Sequence, residues 1–239
     1  GGEGMLLVPV VGCGHEDGVD VVPVEEFAIV LAGKGIVTDE FRLFQGIPYA
    51  AAPRGPMRWQ LPVAPVPWRT VRDATKPGLR CIQDIAADPD YGRPTSEDCL
   101  FLNVWTPAAD DKKRPVMVWF HGGGWSTGSG SSYAYDGVRL SKRGDVVIVT
   151  VNHRLNVFGY LNLASYGEQF ADSGVAGVLD MVQSLEWVRD NIAAFGGDPG
   201  NVTIFGESAG GEAVLNLMTS PRARDLLHQA IAQSPSDSG

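Results

Sequence analysis

The 239-residue chain is poor in several features that would mark particular classes of protein. No apolar run approaches the roughly 20 residues that cross a bilayer, so no membrane span is predicted. The chain has 19 Lys and Arg against 28 Asp and Glu, which gives a net charge of −9, and the acidic residues are scattered. This balance argues against binding to nucleic acid or to anionic membrane surfaces. There is also no internal repeat and no low-complexity segment.

Cysteine and histidine are scarce as well, with three and four residues respectively. They form no cluster with zinc-ligand spacing, so no metal site is predicted. Cys13 has no assignable role. The remaining composition is typical of a globular protein, with 44% hydrophobic and 20% charged residues, and supports a sizeable core. The length suits one or two domains, but no change of composition marks a boundary.

The first 24 residues resist assignment. The apolar run at 5–11 is too short for a signal peptide, and no basic residue precedes it. We expect residues 1–24 to form a poorly ordered extension, with a processed remnant, an extra strand or a misassigned start as alternatives. Residues 25–239 are expected to form part of a single domain. It begins with edge β-structure, including a hairpin suggested by Phe27–Val30 with Gly33 and Gly35, and a strand over Phe41–Tyr49.

Glycine is abundant, at 30 residues, and its most informative cluster lies near the C-terminus. A short apolar run, Val202–Phe205, leads into the turn Gly206–Gly210, and a helix-like segment follows. This is the G-x-S-x-G pattern of a nucleophile elbow in a strand–turn–helix context. A serine on such a turn holds strained backbone angles, and the glycines on either side let strand and helix approach closely. The alternative is a chance match in a glycine-rich chain.

A second glycine cluster, His121–Trp125, follows the unbroken apolar run Val116–Phe120. That run predicts a strand buried on both faces. An HGGG-type loop after a buried strand presents backbone N–H donors to a tetrahedral oxyanion, and glycine is needed because the backbone itself touches the substrate. The alternative is a plain glycine turn. Two halves of one active site in the expected order favour the catalytic interpretation.

The intervening sequence predicts alternating strands and helices. Residues 145–151 form a second buried apolar run, and 175–194 carry apolar residues at helical spacing. Gly196 and Gly197 end that helix, and the next strand leads into the elbow. Strands alternating with helices predict a mostly parallel sheet covered by helices on both faces.

Six motifs occur in chain order: Phe44–Ala50, Ser96–Val104, His121–Trp125, Asn152–Leu155, Phe195–Pro199 and Gly206–Gly211. Together they resemble the type B carboxylesterases, the cholinesterase-like branch of the α/β-hydrolases. The resemblance runs from about residue 25 to the C-terminus. It implies an α/β fold of the α/β-hydrolase type, with a mostly parallel central sheet, antiparallel N-terminal strands and helices on both faces, truncated after the nucleophile elbow.

The resemblance also implies roles for individual residues. Ser208 would be the nucleophile that forms an acyl-ester intermediate, and the oxyanion-hole N–H groups would come from Gly123, Gly124 and Ala209. Glu207 would line the pocket and assist electrostatically without being the triad acid. Beside the oxyanion hole, Trp125 suggests an apolar acyl site, as does Phe158. Arg154 would form a buried ion pair, and its neighbour His153 would be structural.

By the same resemblance, Cys81 and Cys99 would form a disulfide. Such a bridge would stabilise the fold by about 3 kcal/mol in the chain-entropy model, and it would imply export from the cytosol. The alternative is two buried free thiols in a cytosolic protein.

The implied reaction is hydrolysis of a small-molecule carboxylic ester through an acyl-enzyme, with no metal or cofactor. A serine hydroxyl needs a histidine base, and a carboxylate must orient that histidine. In this fold the acid and the histidine follow the serine along the chain. His228 is the only histidine that follows Ser208, and Asp225 lies three residues before it on the same predicted helix. That helix would lead away from the elbow, so His228 is not expected to reach Ser208.

We therefore expect the chain to be an N-terminal fragment, or a truncated product, that lacks the triad acid and histidine. Alone it should be nearly inactive, and an open sheet edge should make it poorly soluble. One alternative is a catalytically inactive cholinesterase-like recognition domain, although such relatives usually lose the nucleophile and Ser208 is intact. A lipase or carbamate hydrolase of the same fold is also compatible. The sequence defines neither the ester nor the oligomeric state.

Overall fold

A computed structural model describes residues 33–38, 40–68, 70–84 and 93–236 of the chain. The strands are β1 (Gly33–Lys34), β2 (Ile36–Val37), β3 (Arg42–Pro48), β4 (Arg72–Asp73), β5 (Arg80–Cys81), β6 (Thr95–Ser96), β7 (Phe101–Thr106), β8 (Arg114–Phe120), β9 (Val147–Val151), β10 (Gly197–Glu207) and β11 (Gln229–Gln233). The α-helices are α1 (Val138–Gly144), α2 (Asn156–Tyr160), α3 (Ala176–Asn191) and α4 (Ala209–Thr219).

Seven strands form one mixed sheet in the order β11-β10-β8-β9-β7-β3-β2. Strands β9, β8, β10 and β11 are parallel, whereas β2, β3 and β7 pair antiparallel with their neighbours up to β9. The predicted α/β fold with antiparallel N-terminal strands is confirmed. Because β8 and β10 are parallel neighbours, with Phe120 opposite Gly206, the two glycine-rich motifs emerge at the same edge of the sheet.

Helices cover both faces of the sheet, as predicted. Val118 of β8 and Val149 of β9 belong to the main core, which also contains apolar side chains of α3 and α4. Ile148, the next residue along β9, points the other way and packs in a smaller cluster with Trp105 and with Val138 of α1. This alternation follows from the twofold side-chain period of a strand.

Helix α3 confirms the predicted helix and ends in a 3₁₀ turn, Ile192–Phe195, after which Gly196 adopts φ 78°. Of its predicted apolar face, Val182, Leu185 and Val188 lie in the main core. The helix is buried nearly all round, including polar residues such as Asp180 and Ser184. Apolar periodicity identified the helix but did not indicate that its other faces are covered.

The prediction of a helix through Asp225 and His228 is wrong. Helix α4 ends at Thr219, and a 3₁₀ turn over Pro221–Ala223 leads to β11, a strand that the sequence analysis did not identify. Proline disfavours helical angles in the residue before it, and Ser220 is extended, with φ −76° and ψ 122°. The helix therefore stops, and the chain returns to the sheet beside β10.

The extension over 1–24 and the Phe27–Val30 part of the predicted hairpin lie outside the described ranges, whereas Gly33 lies in β1, which pairs in parallel with β4. The strand expected over Phe41–Tyr49 is confirmed as β3. Among the described helices, none has both the length and the apolar character needed to span a membrane.

Candidate active site

Ser208 lies at the sharp junction between β10 and α4, where the nucleophile elbow was predicted. Its backbone has φ 57° and ψ −126°, a conformation that non-glycine residues adopt only under strain. An added Cβ on Gly206 would lie 2.4 Å from the carbonyl oxygen of Gly210, and one on Gly210 would lie 2.1 Å from that of Phe120. The two glycines are thus required by close backbone contacts, as the sequence pattern predicted.

Neighbouring backbone groups hold the strained serine in place. The Ser208 N–H donates to the carbonyl oxygen of Gln233 on β11 at 2.9 Å, and its carbonyl accepts from the Glu212 N–H at 3.0 Å. The serine side chain is half-buried and precedes the first turn of α4. Since the first N–H groups of a helix carry a partial positive charge, negative charge that develops here is stabilised.

The glycine loop after β8 lies against this elbow. An added Cβ on Gly122 would come within 2.7 Å of the Glu207 carbonyl oxygen and 3.2 Å of the Ser208 Cβ. Gly123 and Gly124 adopt φ 109° and 59°, and both are exposed. The next turn closes on the Gly123 carbonyl, which accepts the Ser126 and Thr127 N–H groups at 3.1 Å each.

Three backbone N–H groups near Ser208 remain available to a ligand. Within the described residues, no hydrogen-bond acceptor is found for the N–H groups of Gly123, Gly124 and Ala209. An added Cβ on Gly124 would meet nothing within 4 Å, so open space adjoins the loop. Free backbone N–H groups beside a helix N-terminus can donate to a negatively charged ligand oxygen.

Glu207 is exposed, and its carboxylate lies over the glycine loop, with Oε2 3.2 Å from the position of an added Cβ on Gly122. It therefore sits beside both Ser208 and the loop. In contrast, Phe158 does not line the same space as Trp125. It lines a separate small pocket with Arg58 and the two bridged cysteines, and the Arg58 guanidinium is 6.0 Å from its ring centroid.

Trp125 is held in one orientation by several contacts. Its Nε1–H donates to Glu212 Oε2 at 2.7 Å, and its ring meets that of Tyr160 edge to face at 5.3 Å. Hydrogen bonds from Ser236 and from Trp125 lower the pKa of the Glu212 carboxyl below its usual value. Trp125 and Glu212 line a cavity of about 640 Å³ whose other walls are largely apolar, including Tyr160, Val175 and Val178.

His121 and His153 form a stacked, fully buried pair, with ring centroids 4.5 Å apart. Burial lowers the pKa of His121 to about 4, and burial together with His121 lowers that of His153 well below its usual value. Their Nδ1 atoms lie 2.8 and 3.2 Å from the carbonyl oxygens of Gly122 and Arg154, and neither Nε2 has a partner among the described residues. The lowered pKa values favour neutral rings at pH 7, and the stack joins His121, at the start of the glycine loop, to His153, which follows β9.

His228 lies far from the nucleophile. Its Nδ1 accepts the Val202 N–H at 3.1 Å, which fixes the ring beside the middle of β10. Val202 precedes Ser208 by six residues of mostly extended chain, a separation of roughly 20 Å. The structure therefore leaves Ser208 without a histidine base among the described residues, even though His228 is not on the helix that the sequence predicted.

The expected buried ion pair of Arg154 is present, and its partner is Asp180 of α3. Arg154 Nε and Nη2 donate to the two carboxylate oxygens at 2.8 and 2.7 Å, and the Arg154 N–H adds a third bond at 3.0 Å. The side chains are 3% and 0% exposed. The sequence could not identify Asp180 because no local pattern marks the partner of a long-range pair.

Cys81 and Cys99 form the predicted disulfide, with Cα atoms 4.9 Å apart, and both are buried. Gln83, two residues after Cys81, contacts the glycine loop through Gly128. The sequence analysis missed Gln83 and Glu212. The only local signals for these two residues were that Gln83 lies two residues after Cys81 and that Glu212 lies in the first turn of the helix after the elbow.

Comparison with known proteins gives a consistent result. A model of the carboxylesterase family matches residues 31–238. Para-nitrobenzyl esterase of Bacillus subtilis (strain 168) is 45% identical over 204 residues, which cover 84% of this chain and 41% of that protein. Carboxylesterase 3B of Mus musculus is 48% identical over 204 residues, covering 80% and 34% of the two chains.

Solved structures show the same relationship. The crystal structure of the Geobacillus stearothermophilus carboxylesterase EST55 at pH 6.2 matches with a TM-score of 0.78 and 50% identity, covering 83% of this chain and 40% of that one. A structure of PNB esterase matches with a TM-score of 0.80 and 42% identity. The chain spans between 34% and 41% of the length of these curated relatives.

Proposed function

Because the chain belongs to the carboxylesterase family, we propose that it carries the nucleophile and the oxyanion hole of a serine carboxylic ester hydrolase. The observation that supports this most strongly is the strained Ser208 elbow packed against Gly122, with free N–H groups on both sides. Two segments far apart in sequence thus meet with the chemistry that acyl transfer needs.

In the proposed reaction, a histidine base takes the proton of the Ser208 hydroxyl while Oγ attacks the carbonyl carbon of a small-molecule carboxylic ester. The tetrahedral oxyanion accepts hydrogen bonds from the N–H groups of Gly123, Gly124 and Ala209, and the alcohol leaves with a proton returned by the base. Water then hydrolyses the acyl-serine by the reverse sequence of proton transfers. Glu207, exposed beside Ser208, contributes negative charge near the site.

The general base is the component that the described residues do not supply. His121 and His153 are buried and have lowered pKa values, and His228 lies roughly 20 Å along the strand from Ser208. The family members that match are more than twice as long as the matched segment. We propose that the histidine and its carboxylate come from sequence outside these 239 residues.

The cavity beside Trp125 suggests a substrate preference. Its walls are largely apolar, and one of them is the Trp125 indole, which its hydrogen bond to Glu212 orients. Glu212 is one of its polar lining residues, with Ser126, Asn156 and Asn216, and lies one helical turn after Ser208. We therefore propose that the ester has an apolar acyl or alkyl group that packs against Trp125.

A chimera tests the function directly. Residues 31–236 would replace the matching segment of the Bacillus subtilis para-nitrobenzyl esterase, which is 45% identical. We expect the chimera to hydrolyse p-nitrophenyl butyrate, because the recipient supplies a base to Ser208. Its Ser208→Ala variant should lose several orders of magnitude in turnover, since the acyl-enzyme cannot form.

The 239-residue chain by itself is the necessary companion sample. Without a base it should show turnover close to that of its own Ser208→Ala variant. A correctly folded chimera without activity would overturn the proposed function. Serine-dependent turnover by the chain alone would instead show that a base is already present.

A further inference from the structure

We propose that Gln83 is a positioning residue for the oxyanion loop, defined here as residues 121–128, and that it ties this loop to the Cys81–Cys99 disulfide. The catalytic consequence rests on the function proposed above, whereas the mechanical link can be tested without it.

The Gln83 side-chain amide forms hydrogen bonds with both the N–H and the carbonyl of Gly128. Its Oε1 accepts the Gly128 N–H at 2.9 Å, and its Nε2 donates to the Gly128 carbonyl at 2.9 Å. The same Nε2 donates to the Cys81 carbonyl at 3.0 Å. Only one orientation of the amide satisfies all three partners, and Gln83 is only 7% exposed, so the side chain is fixed.

Gly128 packs closely against the first residues of the loop, so fixing Gly128 also restricts them. It adopts φ 111°, and an added Cβ would lie 2.3 Å from His121 Nδ1 and 2.7 Å from the Gly122 carbonyl oxygen. Thr127, which precedes Gly128, is equally close to Gly123: an added Cβ on Gly123 would lie 2.3 Å from the Thr127 carbonyl oxygen. Holding Gly128 therefore holds the residues that carry the proposed oxyanion donors.

The segment after Gly128 is anchored separately. Asn152 Oδ1 accepts the Gly130 N–H at 2.9 Å, and the Thr150 hydroxyl donates to the Gly130 carbonyl at 2.6 Å. Among the described residues, the hydrogen bonds that join the loop to the rest of the chain involve two loop residues. Trp125 accepts from the Asn156 N–H and donates to Glu212, and Gly128 is held by Gln83. Gln83 is thus the one described side chain that fixes both polar groups of a loop backbone residue.

Hydrogen exchange on the 239-residue chain tests the mechanical link. The reporters are the Ser126 and Thr127 amides, which donate to the Gly123 carbonyl and do not touch Gln83. Gln83→Met keeps the side-chain length but removes all three hydrogen bonds, so exchange at these amides should accelerate by about tenfold or more. Gln83→Glu retains an acceptor for the Gly128 N–H and should give a smaller acceleration.

The matched control is Gln169→Ala, which removes an exposed glutamine from a 3₁₀ turn. Exchange in β9 should be unchanged in all variants. Unaltered exchange at Ser126 and Thr127 in both Gln83 variants would overturn the proposal, as would acceleration that β9 shares equally, because that would report global destabilisation. If Gln83→Met does not fold, the same criteria apply to Gln83→Glu.

The chimera adds a catalytic readout. Gln83→Met in the chimera should lower kcat by about tenfold while KM stays within about twofold, because the oxyanion exists only in the transition state and its neighbours. A purely structural role would lower the unfolding midpoint and leave kcat of the folded enzyme unchanged, which would contradict the proposal. An inactive parent chimera would count against the proposed function, while the exchange experiment would still decide the role of Gln83.

Discussion

The conformation of Ser208 shows how a single residue can be held away from its preferred geometry. Its φ of 57° and ψ of −126° suit glycine, because a Cβ at these angles crowds the backbone. The conformation persists because the Gln233 carbonyl and the Glu212 N–H hold the two polar groups of the residue. Strain of about 1–3 kcal/mol is typical of such a site, and here it lifts the hydroxyl out of the strand.

The strain predicts an unusual order of stability for two variants. The free energy of unfolding, measured with urea, should be about 1 kcal/mol higher for Ser208→Gly than for Ser208→Ala, because glycine relieves the strain and alanine does not. Ser220 provides the control, since its φ of −76° and ψ of 122° are unstrained. There the alanine variant should be at least as stable as the glycine variant. The same order at both positions would show that Ser208 is not strained.

At the scale of elements, the structure depends on an ion pair between the end of β9 and helix α3. Arg154 follows β9 and is fixed by Asp180, while its Nη1 also donates to the Gln60 carbonyl at 2.9 Å. One buried charge pair thus joins a strand end, a helix and the chain before β4. The pair belongs to the support beneath the site, because the buried His153 immediately precedes Arg154 and stacks on His121.

Breaking this pair should be costly. Asp180→Asn leaves the Arg154 guanidinium buried without a counter-charge, and we expect a loss of about 3–5 kcal/mol in the free energy of unfolding, measured with urea. The double variant Arg154→Met, Asp180→Leu should lose less, because no charge remains buried.

An exposed pair supplies the comparison for the buried one. Glu40 forms a surface ion pair with Lys142, and the two side chains are 67% and 38% exposed. Glu40→Gln should therefore lower the free energy of unfolding by less than about 1 kcal/mol. If Asp180→Asn proves as mild as Glu40→Gln, the buried pair does not carry the proposed structural role.

For the whole molecule, the open edge of the sheet is the dominant feature. Strand β11 is the edge strand of the described sheet, and most of its residues are exposed, including Ile231 at 47%. An unpaired edge with apolar side chains is a template for pairing with another chain.

We therefore expect the 239-residue chain to self-associate in a concentration-dependent way, which light scattering after size-exclusion chromatography would detect. Ile231→Lys should shift the population towards monomer, because charge on an edge strand opposes pairing. Val66→Lys is the matched control, since Val66 is 83% exposed but lies outside the sheet. Association that responds equally to both changes would place the contact elsewhere.

Sequence patterns predicted the local backbone around Ser208 and the glycine loop. Apolar runs identified β8, β9 and the end of β10, and glycine spacing identified the elbow and the loop, because these features depend on backbone sterics within a few residues. Helix α3 was found by its period, although its burial on nearly every side was not. The prediction of a helix after Thr219 is wrong, because Pro221 disfavours helical angles at Ser220 and the chain returns to the sheet as β11.

The sequence by itself determined the family, the α/β architecture and the residues proposed for acyl transfer, because motif spacing records which backbone positions must lack a side chain. Only the tertiary structure decided which partners support them: Gln83 on Gly128, Glu212 on Trp125, Asp180 on Arg154 and Gln233 on Ser208. These contacts join residues far apart along the chain or elements whose approach depends on packing. Their identity follows from strand order and helix placement, which no local pattern encodes.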